Sequence, residues 1–158
     1  MEQYVIFQSN HQRFAIVVQN VARVIEAKQF IALPEVAPYI LGVYEFQEKM
    51  VPIVDVRKKL FQKFTESTGE TKVILCRWKD QTLGLYVEDI LGISSLEPAV
   101  YEENSLNTSI KQIYIQSFLK MDDTLVMLLD LSYFFSAKQE QALVTQLENI
   151  KDDMHGEC

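Results

Sequence analysis

The sequence predicts a mainly β protein made of two small β-barrels that share a hydrophobic core, with short helices and a C-terminal amphipathic helix. Three observations predict it. Most of the chain is short Val/Ile/Phe/Tyr-rich runs, each four to eight residues long and bounded by polar turn residues. The pattern of runs occurs twice. The composition is that of an ordinary globular protein: 158 residues, 48% apolar, with five glycines and four prolines. A disordered chain would carry fewer aliphatics, and a collagen-like or linker-rich one far more Gly and Pro. A chain of this length buries roughly 68–70% of its unfolded surface, so it needs no disulfide or metal to fold.

In chain order, the strand-like runs are Tyr4 to Phe7, Phe14 to Val18, Phe30 to Leu33, Tyr39 to Phe46 and Met50 to Val54. Val73 to Cys76, Leu83 to Val87, Ile113 to Leu119 and Leu125 to Leu129 follow. Ser9-Asn10-His11-Gln12, Lys79-Asp80-Gln81 and Asp122-Asp123 read as turns, because Asn and Asp tolerate left-handed backbone. Pro52 cannot donate to a ladder, which predicts an edge strand or a bulge there. Asp55 and Asp130 each precede a short helical pattern, Val56 to Leu60 and Leu131 to Phe135, and are placed to accept first-turn N–H groups. Such a cap is worth about 0.5–2 kcal/mol. The polar stretch from Thr65 to Thr71 suits a loop between halves. Ser136 and Gln139 form a capping box for a helix from about Ala137 to Lys151, in which Leu143, Leu147, Ile150 and Met154 recur at three- and four-residue spacing.

The repeat aligns Val5-Ile6-Phe7 and Phe14 to Val21 with Val73-Ile74-Leu75 and Leu83 to Ile90. Further on, Tyr39, Val51, Ile53 and Asp55 match Tyr114, Val126, Leu128 and Asp130 at one constant shift. Each half is near the lower limit for burying a core alone, so the halves are expected to pack on each other. Small antiparallel sheets dispose of their edges by closing into barrels.

Several function classes are disfavoured. The formal charge of −7 repels phosphate backbones, and Arg57-Lys58-Lys59 with Lys63 is too short for a nucleic-acid stripe. No apolar run approaches the ~20 residues of a membrane-spanning helix. The first residues carry no basic leader or small-residue cleavage site, which leaves the cytoplasm as the expected compartment. Cys76 and Cys158 suit reducing conditions and are not expected to pair. His11 and His155 lack neighbours at metal-ligand spacing, and the acid pairs Glu88-Asp89, Glu102-Glu103 and Asp122-Asp123 read as solvated turns. The glycines are too scattered for a phosphate loop, and no Gly-x-Ser-x-Gly elbow occurs. No catalytic centre, cofactor or metal is expected. What remains is surface, and Val21, Val24, Tyr44 and Phe46 form a candidate contact patch.

Tyr4-Val5-Ile6-Phe7, Phe14-Ala15-Ile16, Leu33-Pro34, Pro38-Tyr39-Ile40-Leu41-Gly42-Val43 and Val51-Pro52-Ile53-Val54-Asp55-Val56-Arg57 resemble the CheW family of bacterial chemotaxis coupling proteins. Leu83-Gly84-Leu85-Tyr86-Val87 and Leu128-Leu129-Asp130-Leu131 continue the resemblance in order. It implies two SH3-like five-stranded β-barrel subdomains, intertwined in one domain over residues 1–136, with residues 137–158 as a C-terminal helix and tail. It implies a non-catalytic, cytoplasmic adaptor recruited to membrane-associated receptor arrays. There it would link the cytoplasmic tip of a chemoreceptor, docked in a groove between the subdomains, to the regulatory domain of a histidine autokinase, in rings that alternate barrel to barrel. The partner-binding candidates are Val21, Arg23, Val24, Leu41, Gly42, Glu45, Phe46, Gln47 and Arg57.

Departures from the family pattern stand out at four positions. Glu45, Gln47 and Glu48 replace the Asn, Arg and second Gly of the usual Gly-Val-x-Asn-Leu-Arg-Gly segment, and Arg23 stands where an acid is common. Gln cannot offer the forked, charged donor set of Arg. Glu48 in place of a turn glycine predicts a reshaped hairpin. Two adaptor readings follow: coupling in a divergent system, such as one controlling pilus-based motility, or kinase binding with weak or no receptor contact. A module that binds a small molecule or peptide between its halves is the alternative class.

Overall fold

The computed structural model describes residues 2–99, 114–134, 139, 141–145 and 147–148. Eleven strands occur among them: β1 (Gln3–Ser9), β2 (Gln12–Val17), β3 (Val21–Ile25), β4 (Ile40–Phe46), β5 (Lys49–Asp55), β6 (Lys72–Trp78), β7 (Gln81–Val87), β8 (Asp89–Ser95), β9 (Glu97–Pro98), β10 (Ile115–Met121) and β11 (Thr124–Leu129). One helix, α1 (Val56–Phe61), follows β5. One sheet has the order β8-β1-β2-β11-β10-β9, the other β3-β6-β7-β5-β4.

The two sheets are equivalent under the repeat, but neither sheet is one repeat. β1 and β2 of the first copy lie between β8 and β11 of the second, while β6 and β7 of the second lie between β3 and β5 of the first. The six-stranded sheet therefore takes a hairpin from the first copy and four strands from the second, and the five-stranded sheet a hairpin from the second copy and three strands from the first. The joints are the two parallel pairs, β2 with β11 and β5 with β7. Bulges recur at equivalent places: Ala22 and Leu91 are skipped in the pairings with β6 and β1, and Leu41 and Gln116 in the β4–β5 and β10–β11 hairpins. Bulges increase local twist and bend a strand, as a small coiled sheet requires.

The exchange explains why many strands read as unbroken apolar runs. In β2, Phe14 and Ile16 enter a central core between the sheets, whereas Ala15 and Val17 enter a private core of the first sheet. In β6, Ile74 and Cys76 face the central core, and Val73 and Leu75 a private core of the second sheet. Both faces are buried, so period-two alternation disappears. One shared core was expected; there is a shared core and a smaller one in each sheet. Phe7 and Phe14 stack at the centre, 5.6 Å between rings.

Several expectations are corrected. Phe30 to Leu33 is not a strand: Ile31 makes a single bridge to Val43, and Phe30 turns inward onto Tyr86 and Tyr44. β3, β8 and β9 were not foreseen. The first strands of the two copies align one residue differently, Gln3 to Ser9 on Lys72 to Trp78, so Tyr4 rather than Val5 matches Val73, while the second strands align as expected with Phe14 on Leu83. That slip matters, because one residue flips every side chain to the other face. Pro52 lies in an interior strand; it pairs with Val43 of β4 but precedes the three residues that pair with β7. Leu131–Tyr133 forms a 3-10 turn, shorter than the expected helix to Phe135.

The Thr65 to Thr71 stretch is a loop, as expected. In the C-terminal segment the described residues are helical; Leu143 is buried in the central core and Leu147 packs against it. Ile113, Ser136, Ile150, Met154, His155 and Cys158, which carry other expectations, lie outside the described residues.

The repeat has its own hydrogen-bond signature. Asp55 N–H donates to the Tyr39 carbonyl at 2.8 Å, and Asp130 N–H to that of Tyr114 at 2.9 Å. Both carboxylates cap, Asp55 accepting from Lys58 N–H and Asp130 from Ser132 N–H. Between the copies sits Lys59, buried, its ammonium 4.1 Å from the Tyr39 ring centroid and 5.2 Å from that of Tyr114. Burial pushes the Tyr39 hydroxyl up to about 12.

Candidate partner-docking surface

Eight of the nine candidate residues sit on β3, on β4 or in the turn that follows β4, the two ends of the β3-β6-β7-β5-β4 order. No ladder joins those ends among the described residues, yet they converge. The Arg23 guanidinium lies over the Phe46 ring, 5.7 Å from its centroid. Ile25, Leu41, Tyr44 and Phe46 pack around the same private core of Val51, Ile53, Val73 and Leu75. The sheet thus closes on itself at a seam between β3 and β4.

The seam sorts the candidates into inner and outer groups. Leu41, Tyr44 and Phe46 are partly buried and turned toward the private core. Gly42 is buried at φ +142°, and a Cβ there would collide with the Ile31 carbonyl oxygen. Its lack of a side chain lets the Ile31 segment bridge β4, with Ile31 N–H to Val43 O at 2.9 Å and Val43 N–H to Ile31 O at 2.8 Å. Arg23, Val24, Glu45 and Gln47 are exposed, and Val21 is half-buried. The bulge at Ala22 makes Ala22, Arg23 and Val24 three consecutive exposed residues, which a regular strand would not present.

Arg57 is not part of this seam by any contact. Its guanidinium stands 3.5 Å from the Glu88 carboxylate, which also accepts the Asn10 N–H at 2.9 Å. The cluster ties α1 to the β1–β2 turn and the β7–β8 joint, and Arg57 Nε is buried there with no hydrogen-bond partner among the described residues.

With Glu48 in place of the turn glycine, the β4–β5 hairpin closes in a tight turn. Phe46 pairs with Lys49 across a two-residue turn, and Gln47 and Glu48 adopt φ of 51° and 65°. This is the left-handed pair that two-residue hairpins prefer, here held by residues other than Gly. Asn10-His11 and Lys79-Asp80 make the same turn with φ of 51°, 62°, 44° and 63°. Twist-matched pairing on either side outweighs the local cost at each turn.

A cleft of about 1230 Å³, open to solvent, runs between the β4–β5 and β6–β7 hairpin tips and reaches Leu147 of the C-terminal helix. Its charged lining is mixed: Glu45, Glu48 and Asp80 face Lys49, Arg77 and Lys79. Arg77 is engaged with the Gln19 carbonyl at 2.6 Å. Among the described residues no three His, Cys, Asp or Glu side chains are grouped to hold a metal. The Cys76 thiol is fully buried and its pKa is pushed well up by desolvation, which removes it as a nucleophile. No helix among the described residues is long and apolar enough to cross a membrane.

Two neighbours of the candidate residues are exposed beside them. Ala22 is exposed through the bulge, and Glu48 projects from the turn beside Gln47. The turn position of Glu48 was visible as a departure from the family pattern; the bulge had no sequence signal.

The chain matches the family model of the CheW-like domain over residues 3–139. It is similar to the chemotaxis protein CheW of Bacillus subtilis, 25% identical over 149 residues that cover 90% of this chain and 92% of that one. It is likewise similar to the chemotaxis protein CheW of Thermotoga maritima, 26% identical over 79% of this chain and 82% of that one. Its fold is that of the scaffolding protein TtCheW from Thermoanaerobacter tengcongensis, with a TM-score of 0.75, 19% identity, and coverage of 87% and 94%. Two equivalent sheets exchanging hairpins, in a chain that matches the family model almost throughout, lead to one assignment: the protein belongs to the CheW-like domain family.

Proposed function

We propose that the protein is a non-catalytic adaptor that couples chemoreceptors to a histidine autokinase in a chemosensory array, with residues 1–136 as the docking domain. The observation that carries this reading is the family match over residues 3–139. The surface is in keeping with it. The exposed seam of β3 and β4 offers charge and apolar contact together, and the cleft beside it is open rather than enclosed, which suits a protein partner better than a small molecule. The adaptor acts from the cytoplasm, held beneath the membrane through its partners.

One observation favours a narrower second reading, in which the protein binds the kinase while receptor contact is weak or lost. Gln47 stands exposed at the hairpin tip where the family pattern has a permanently charged Arg. Binding assays of the full chain against the cognate kinase regulatory domain and, separately, a receptor tip test both. Binding to both supports the coupling adaptor. Binding to the kinase domain alone supports the second reading, and binding to neither overturns the proposal. The motility output, pilus-based or other, is decided by deleting the gene and scoring each behaviour.

A further inference from the structure

We infer that the C-terminal helix is a strap that docks and releases as a unit, and that its release uncovers Trp78 at the floor of the hairpin-tip cleft. The device belongs to the fold itself and stands or falls independently of the adaptor reading.

Three features carry it. First, the helix is held at few points. Of its described residues 141–145, 147 and 148, Leu143 alone is buried, Val144 and Leu147 are half-buried, and the rest are exposed. Among the described residues these side chains make no hydrogen bond or ion pair to the sheets, and the Gln141–Thr145 bond runs within the helix. A short helix is marginal in water by itself and depends on its apolar contacts.

Second, the seat is larger than the helix that fills it. A gap of about 80 Å³ remains between Ala142 and Leu143 on the helix and Val36, Ala37, Tyr39 and Ile40 beneath them. Packed interiors hold few voids larger than a water molecule, and atoms that line one lose contact energy on that side. The one buried anchor is therefore underpacked.

Third, the helix supplies cover where the sheet has none. Trp78 ends β6 beside the exposed turn residues Lys79 and Asp80, yet it is 3% exposed. The apolar residues that line the cleft with it are Met50 and Leu147. Leu143 and Leu147 are four residues apart, so they share one helix face, and release of the first withdraws the second. Segments held by few buried contacts open well below the free energy of global unfolding. An uncovered tryptophan is a side chain suited to anchor a docked protein, so the strap sets which of two clefts the molecule presents.

The test uses the full chain carrying Cys158→Ser and reads two probes on one strand. Acrylamide quenching of Trp78, the one tryptophan of the chain, reports the cover, and alkylation of Cys76, buried two residues earlier in β6, reports the sheets. Leu143→Ala and Leu147→Ala are each expected to raise Trp78 quenching at least about twofold while Cys76 stays closed. In the wild type, the helix amides are expected to exchange hydrogen at least about tenfold faster than those of β6. If Trp78 and Cys76 open together in both variants, or Trp78 stays closed in both, the helix is not a separate strap and the inference falls. Helix amides that exchange as slowly as β6 in the wild type overturn it as well, with no variant needed.

Discussion

Replacing Asp55 by Ala is expected to cost far more than the loss of a helix cap. The carboxylate is 1% exposed and accepts three hydrogen bonds: from Lys58 N–H at 3.2 Å, Thr65 N–H at 2.8 Å and Thr65 Oγ1–H at 2.6 Å. The first is the cap, worth about 0.5–2 kcal/mol. The other two pin the start of the loop from Thr65 to Thr71, and Thr65 is itself buried. Removing their acceptor strands a buried amide and a buried hydroxyl, each at roughly 1–3 kcal/mol. The total is about 3–5 kcal/mol, since the hydroxyl can turn to another acceptor and the terms are not additive.

The repeat supplies an internal control. Asp130 occupies the equivalent place and makes the equivalent backbone bond, but among the described residues its carboxylate accepts from Ser132 N–H alone, an exposed donor that water can serve. Asp130→Ala should therefore cost about 0.5–1 kcal/mol. Urea unfolding of both variants reads the difference from the midpoints at unchanged m. Thr65→Val separates the terms: it removes the hydroxyl bond alone and should cost about 1–2 kcal/mol. An Asp55→Ala cost within 1 kcal/mol of the Asp130→Ala cost would refute the reasoning, because both sites share the backbone bond and a capping role and the larger cost is assigned to the buried Thr65 bonds that Asp55 alone makes.

Glu48→Gly should stabilise the protein by about 0.5–1 kcal/mol, since Glu48 holds φ 65° without any hydrogen bond or ion pair among the described residues, and an L residue there carries a left-handed penalty. Denaturant unfolding checks it; unchanged or lower stability would count against the strained turn. The Cys76 thiol, buried and with its pKa raised, should resist alkylation at pH 8 in a Cys158→Ser background until denaturant unfolds the chain. Labelling of the native protein within minutes would show that the central core opens locally.

The legibility of the fold followed burial. Strands with both faces covered, such as β2, β6 and β11, present runs of four or more apolar residues and were placed from them. β3 was missed as a strand because its burial pattern has three exposed positions in the middle, a consequence of the bulge at Ala22. Its residues were legible only as a contact patch. Phe30 to Leu33 misled in the opposite sense: its apolar residues fill space over Tyr86 instead of extending a ladder. The duplication was visible and the family resemblance implied intertwined halves, but the exchange of hairpins was not legible. It depends on the parallel pairings of β2 with β11 and β5 with β7, contacts between distant segments that leave no local pattern. At the seam, which of the candidate residues turn inward was not readable, because Leu41 and Gly42 are set by the bulge and by the Ile31 bridge.

Hairpin exchange has a physical consequence for an adaptor. Each sheet contains strands of both copies, so neither half can bury its private core without the other, and the two sheets should unfold together. The interior is therefore constrained twice over: Val5 and Ile74, Phe14 and Leu83, Ile16 and Leu85 are repeat partners, and all face the common core. The exterior has no such constraint. Arg23 and Gly92, Glu45 and Lys120, Gln47 and Asp122 occupy equivalent positions with different charge. A duplicated frame can hence keep one rigid body while its two ends diverge chemically, and a body with two unlike ends is what bridging two unlike proteins requires.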